Sequence, residues 1–196
     1  MIIGLTGKNA AGKGEVANYL KSKEFIYYSL SDVIREEATR RDLEHSRDNL
    51  INLGNELRKK FGSAYLAKQI NNKIKQQSKK NNNQNFVIDS IRNPYEAEEL
   101  MKNKGFVLMG VDAPVELRFK RLLERNRLGD AKTIEEFKQQ EQRENLKSDT
   151  NQQLDATFRM SEYIIVNEET LDVLYQKIDD LLNHLEKKSK RELSKH

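Results

Sequence analysis

Apolar residues fall along this chain in two alternating rhythms. Ile2-Ile3-Gly4-Leu5-Thr6 is an unbroken apolar run, and Phe25-Ile26-Tyr27-Tyr28, Phe86-Val87-Ile88-Asp89, Phe106 to Val111 and Tyr163-Ile164-Ile165-Val166 are runs of similar length. Short continuous runs of this kind predict strands covered on both faces, as in a parallel sheet. Between them the apolar spacing changes to three and four, which predicts helices. The first helix is expected from Lys13 to Lys23. Ser31 is read as the N-cap of a second, ending near Arg41. Residues 47–77 carry Leu50, Leu53, Leu57, Phe61, Leu66, Ile70 and Ile74 at helical spacing, followed by a polar break over Ser78 to Asn85. Pro94 opens a helix that continues over Glu96 to Lys102. Pro114 suits the first turn of another, ending near Arg127. Thr133-Ile134-Glu135-Glu136 is a capping box. A last helix carries Leu171, Leu174, Ile178, Leu181, Leu182 and Leu185 on one stripe. Strands that alternate with helices predict an α/β fold of three layers: a five-stranded parallel sheet with helices on both faces. Ligands of such sheets sit beyond the carboxyl ends of the strands.

Composition narrows the chemistry. The 196 residues suit one domain with room for a mobile insertion. Only 36% are hydrophobic and 34% are charged, yet the net charge is +4. That balance is too even to indicate nucleic acid and is compatible with polyanionic small molecules. With no cysteine, disulfides, thiolate metal sites and Cys nucleophiles are excluded. No apolar run reaches the length of about 18 residues that a membrane span needs. The short apolar start lacks a basic leader, so the expected location is cytoplasmic. His45, His184 and His196 have no partner at zinc-ligand spacing, and His45 is expected to be solvated.

The sharpest motif is Gly7-Lys8-Asn9-Ala10-Ala11-Gly12-Lys13-Gly14, a G-x-x-x-x-G-K run between the first strand and the first helix. Glycines there let successive backbone N–H groups converge on one concavity, and the helix N-terminus adds partial positive charge. Lys13 would reach the outer phosphates of a bound nucleotide. The position after the lysine, where a hydroxyl commonly meets magnesium, is Gly14, and Glu15 follows. A carboxylate is repelled by phosphates, so Glu15 is expected to point away or to act through a cation.

The chain resembles the nucleoside monophosphate kinase group, which includes adenylate kinase and dephospho-coenzyme A kinase. It also resembles a set of archaeal and bacterial kinase-like proteins that share a D-x-I-R-x-x-x-E element and a Y-I-I-V-N strand. The likeness spans roughly residues 1–185. It implies that Ser29-Leu30-Ser31-Asp32-Val33-Ile34-Arg35 grips the acceptor's phosphate through Arg35, with Asp32 on the same helical face. It implies that Asp89, in Asp89-Ser90-Ile91-Arg92, orders water on Mg2+, and that Arg92 binds the acceptor phosphate. Arg118, Arg121 and Arg125 follow at helical spacing. By resemblance, Arg121 and Arg125 neutralise the transferring phosphoryl, while Arg118 is open to being an ordinary solvated residue. Residues 126–148 would form a short lid, hinged at Gly129-Asp130, with Arg143 reaching the phosphates on closure. Asn167 would lie near the nucleotide base.

These readings converge on one kinase domain over residues 1–186. Its acceptor-binding helical region spans about 30–80, its lid about 126–148, and a charged tail over 187–196 is expected to be disordered. The expected activity is ATP-dependent phosphoryl transfer, with Mg2+, to a (deoxy)nucleoside monophosphate. A dephospho-coenzyme A kinase-like enzyme using Asp32 as base, and a slow or non-catalytic NTP-binding regulatory ATPase, are the alternatives. Acceptor identity, ATP versus GTP and oligomeric state are left open.

Overall fold

The first strand, β1 (Ile2–Thr6), is buried along its whole length and lies at the centre of the sheet. The structure, a computed structural model, describes residues 1–81, 84–126, 129–143 and 152–193. Its other strands are β2 (Ile26–Ser29), β3 (Phe86–Asp89), β4 (Phe106–Asp112) and β5 (Tyr163–Val166). Its helices are α1 (Lys13–Ser22), α2 (Leu30–Arg40), α3 (Arg47–Phe61), α4 (Tyr65–Ser78), α5 (Pro94–Met101), α6 (Val115–Arg125), α7 (Ile134–Arg143), α8 (Leu154–Arg159) and α9 (Leu171–Leu193). The five strands are parallel, in the order β2-β3-β1-β4-β5.

The pleat divides the apolar runs of the central strands between two cores, because successive side chains point to opposite faces. Ile3, Leu5, Val87, Met109 and Val111 pack with Val16 and Leu20 of α1 and with Leu174 and Ile178 of α9. Ile2, Ile88 and Leu108 pack on the other face with Leu30, Leu57, Leu66, Ile70 and Leu100 from α2 to α5. Both faces of the central strands are therefore covered, as the continuous apolar runs predict, but at the edge strand β5 only Ile165 is buried and Ile164 and Val166 are 54% and 39% exposed. Among the described residues, no helix is long and apolar enough to cross a membrane.

Several local expectations change. The helical region read over 47–77 is two helices, broken where Gly62 takes φ 97. Phe61 is half exposed and stacks on Tyr65, so it ends the α3 stripe without entering the core. Ser29, rather than Ser31, caps α2, its side chain accepting from the Ser31 amide at 3.2 Å. The short α8 has no clear periodic signal. On α6, Leu123 is exposed, whereas Leu122 packs with Ala131 and Phe137. The charged segment expected to be a disordered tail from 187 onward is helical through Leu193, a continuation of α9.

The lid expectation also changes in character. Phe137 of α7 is fully buried against Leu122 and Phe119, and Arg118 is 3% exposed and ion-paired with Glu141. Arg118 is thus an interior anchor rather than a solvated residue, and α7 docks firmly on α6. Residues 127–128 and 144–148 of the expected lid lie outside the described residues.

One buried ion pair ties the two halves of the helical layer together. Arg58 of α3 donates to Glu96 Oε1 of α5 at 2.8–2.9 Å, and the two side chains are 2% and 0% exposed. Glu96 Oε2 accepts the Arg92 amide at 3.1 Å, so the same carboxylate shapes the loop after β3. Removing one partner of such a pair leaves an uncompensated charge in the core. Glu96→Ala is expected to cost about 3–5 kcal/mol of stability. Urea unfolding checks this through a lowered midpoint with an unchanged slope.

Candidate functional site

At the carboxyl end of β1 the chain turns back so tightly that two positions admit only glycine. Gly7 has φ 138, and a Cβ there would lie 2.1 Å from the Val111 carbonyl oxygen of β4. Gly12 has φ 103, and its Cβ would lie 2.1 Å from Asn167 Nδ2. Both the backbone conformation and the space exclude a side chain. The turn delivers the chain to α1, whose N-terminus faces the concavity. Lys13 folds over the loop, its ammonium donating to Gly7 O at 2.6 Å and Lys8 O at 2.8 Å.

Asn167 braces the loop from behind. It is 4% exposed, donates through Nδ2 to Ala11 O at 3.0 Å, and donates through its amide to Asp112 O at 2.8 Å. Arg121 donates to Asn167 O at 3.1 Å and to Asn167 Oδ1 at 3.4 Å. One asparagine thereby joins the loop, the end of β4 and the arginine helix α6.

The loop β3–α5 is held beside this turn by Thr6, whose hydroxyl donates to Ile91 O at 2.8 Å, and by the Ile91 amide, which donates to Leu5 O. Asp89 therefore stands at the end of β3 next to the cradle. Its Oδ1 accepts the Ser90 amide at 2.6 Å, with Ser90 at φ 66, and the Tyr27 hydroxyl lies 3.5 Å from Oδ2. Burial, followed by the Asp89 charge, pushes the Tyr27 hydroxyl up to about 12, so it remains a donor.

A cleft of about 1060 Å³ runs from the loop to α2 and α3. Asn9, Ala10, Gly12, Lys13, Gly14 and Glu15 form its nucleotide wall. Gly7, Lys8 and Ala11 do not line it and support the loop from outside. Gly14 has open space around its missing side chain, so sterics do not forbid a hydroxyl there. Glu15 is exposed at the rim in the first turn of α1. Arg35 and Arg92 also line the cleft, together with the apolar side chains of Ile34, Leu50, Ile51 and Leu66. Arg121 and Arg125 line it too, hydrogen-bonded to Asn167 and to Asn9 of the loop.

Asp32 pairs with Arg35 at 3.2 Å on the half-exposed side of α2 and does not line the cleft. Both side chains are about half exposed, and Asp32 meets the site through its ion pair with Arg35. Arg92 Nη1 donates to Gln152 Oε1 at 3.3 Å. Arg121 is part-buried with neutral hydrogen-bond partners, and burial lowers its guanidinium from the ordinary value without removing its charge. It faces the cleft with the Glu124 carboxylate supporting its charge, and the cleft is where its guanidinium can meet an anion. Arg125 donates to Asp130 Oδ2 and Oδ1, both at 2.8 Å, and to Asn9 Oδ1 at 3.1 Å. Asp130 is thus a buried charge partner, not a free hinge residue. Arg143 ends α7, and its side chain lies outside the described part.

Among the cleft residues that escape sequence reasoning are Tyr27, Arg47, Arg58 and Gln152. Tyr27 reads as strand packing and Arg58 as a polar position of an amphipathic helix. Gln152 precedes a helix with no clear pattern. No spacing in the chain brings these residues together.

The AAA domain family matches residues 3–144. A UPF0200 protein from Pyrococcus abyssi is 30% identical over 188 residues, covering 94% of this chain and 97% of the relative. The UPF0200/UPF0201 protein of Archaeoglobus fulgidus is 32% identical over 188 residues; the match takes in 95% of this chain but only 56% of that longer relative. Among solved structures, TT1252 from Thermus thermophilus is similar with a TM-score of 0.62 at 18% identity, covering 94% of this chain and 97% of that one. Shikimate kinase from Acinetobacter baumannii, solved with shikimate, is similar with a TM-score of 0.55 at 15% identity, covering 93% of each chain. At those identities the two structures speak to the fold, a P-loop kinase fold. With the glycine-bound turn, the sheet order and these matches in hand, the chain belongs to the UPF0200 family of AAA-domain P-loop proteins.

Proposed function

We propose that this chain is an ATP-dependent phosphotransferase acting on a small phosphate-bearing acceptor of nucleoside monophosphate type. The observation that carries the reading is the distribution of cations around one cleft. Lys13, Arg35, Arg92, Arg121 and Arg125 all line it, with the glycine-rich loop. Guanidinium groups offer paired donors that match phosphate oxygens. More cations than one nucleotide's phosphates need suit an acceptor that itself carries a phosphate. The apolar strip of Ile34, Leu50, Ile51 and Leu66 beside Arg35 suits a flat ring such as a nucleobase.

In this reading Lys13 exchanges its loop carbonyls for the β- and γ-phosphates of ATP. Arg35 and Arg92 hold the acceptor phosphate in line with the γ-phosphorus. Arg121 and Arg125 meet the charge that spreads over the equatorial oxygens, and such clamps are worth about 10³-fold or more in rate. The acceptor oxygen is already ionised, so positioning and electrostatics suffice without a side-chain base. Residues 30–80 then serve as the acceptor side. Residues 126–148, with Arg143, serve as the cover that keeps water from the phosphoryl group.

Magnesium asks for one or two carboxylates, with the remaining ligands from phosphate and water. Asp89 fits: it is a carboxylate at the cleft whose Oδ1 is oriented by the Ser90 amide, leaving lone pairs for water on the ion. The ion would neutralise phosphate charge there, and it also gives Glu15, at the rim, a cation to face. The dephospho-coenzyme A kinase-like alternative would use Asp32 as base, and Asp32 is ion-paired with Arg35 at 3.2 Å.

Incubation with Mg-ATP and a panel of nucleoside monophosphates, dephospho-coenzyme A and no acceptor, followed by ADP release, tests the proposal. Release that depends on a monophosphate is the expected result; slow release indifferent to every acceptor would remove the transferase reading. Lys13→Ala is expected to lower turnover by about 10²–10³-fold, as loss of a charge-stabilising donor does elsewhere. Arg35→Ala is expected to raise the acceptor KM by roughly tenfold or more, with the ATP KM unchanged; steady-state kinetics in each substrate measures this split.

A further inference from the structure

Arg125 is held on two sides. Its Nε and Nη2 donate to the two Asp130 oxygens at 2.8 Å, and Nη2 also donates to Asn9 Oδ1 at 3.1 Å. Asp130 is itself 8% exposed and lies 3.7 Å from Nη1 of Arg47, the first residue of α3 on the acceptor side. Among the described residues, Nη1 of Arg125 has no hydrogen-bond partner, and Arg125 lines the cleft.

Asn9 shows what this arrangement costs. Its Nδ2 is buried and has no hydrogen-bond partner among the described residues. A buried donor left unmade carries a desolvation penalty, and an amide normally turns to avoid it. Turning this amide would set its N–H groups against the Arg125 guanidinium. The orphaned nitrogen is therefore the consequence of keeping Oδ1 on Arg125. An apolar side chain at position 9 would carry no such penalty, so the contact with Arg125 is what the asparagine adds to the loop.

We infer that Asn9 and Asp130 are positioning residues that aim Arg125 at the transferring phosphoryl group before nucleotide binds, and that Asp130 links this arginine, through Arg47, to the acceptor helix α3. The inference rests on the function proposed above. Fixed donors aimed where charge develops need no reorganisation during reaction, and a long side chain held in place loses less freedom on binding. Asn9 fixes the guanidinium relative to the loop that holds the phosphates. Asp130 fixes it relative to α3, so donor and acceptor walls share one reference point.

The test reads recognition of the terminal phosphate without requiring turnover. Calorimetry gives the affinity of Mg-ADP and of Mg with the β,γ-imido analogue of ATP for the full chain and for Asn9→Ala, Asp130→Asn, Arg125→Ala and the Asp130→Asn/Arg125→Ala double variant. The wild type is expected to prefer the triphosphate. Asn9→Ala and Asp130→Asn should each reduce that preference by about tenfold or less, with ADP affinity within twofold, and Asp130→Asn should change nothing further once Arg125 is absent. Equal effects of Asp130→Asn with and without Arg125, or an undiminished triphosphate preference in both single variants, overturns the inference while leaving the phosphotransferase reading intact. A wild type that binds neither nucleotide sinks both. Should Asp130→Asn fail to fold, Asn9→Ala with and without Arg125 makes the same comparison, since it removes the orphaned amide and is not expected to destabilise the chain.

Discussion

The turn between β1 and α1 runs so close to its neighbours that it has no room for side chains at Gly7 and Gly12, and the rest of the site is arranged around that contact. Val111 O on one side and Asn167 on the other set how far the backbone can stand from the sheet. Pressed between them, the loop curls into a concavity that Lys13 spans, and α1 begins with its amide ends toward it. Because β1 is the central strand, this concavity falls where the order β2-β3-β1-β4-β5 places β3 and β4 on either side. Asp89, the last residue of β3, and Asn167, just beyond β5, are brought beside the loop by the same geometry.

The arginines around the cleft divide by the company they keep. Arg58 with Glu96 and Arg118 with Glu141 are interior ion pairs, and each holds together elements that would otherwise meet only through apolar contacts. Arg121 has neutral hydrogen-bond partners and is partly desolvated, with Glu124 supporting its charge from the same helix. Arg125 is intermediate, paired with Asp130 on one edge and open on another. Burying an ion pair seldom adds net stability over an apolar alternative. Its effect here is to fix where α3, α5, α6 and α7 stand, and so where the remaining cations point.

The glycine-rich loop could be read from a local pattern between a strand and a helix, whereas Asp89 and the arginines at 35, 92, 121 and 125 were singled out by resemblance, and all of them line the cleft. The sheet was legible for a similar reason: runs such as Phe86 to Ile88 are apolar at every position and require cover on both sides. Harder to read was anything decided by a contact distant in sequence. Arg118 and Arg121 are one helical turn apart, yet one is an interior anchor and the other lines the cleft, and only the packing of α7 separates them. Asp32 and Arg35 share a helix face, yet only Arg35 lines the cleft.

By itself, then, the sequence determined the alternation of strands and helices, the place of the glycine-rich loop and the cationic character of its surroundings, since these follow from periodicity, from glycine's freedom at positive φ and from charge. The tertiary structure alone decided which charges are spent on each other and which remain for a ligand. Pairing across 38 residues between Arg58 and Glu96, or across 116 between Asn9 and Arg125, depends on where whole helices come to rest, and no local spacing encodes that.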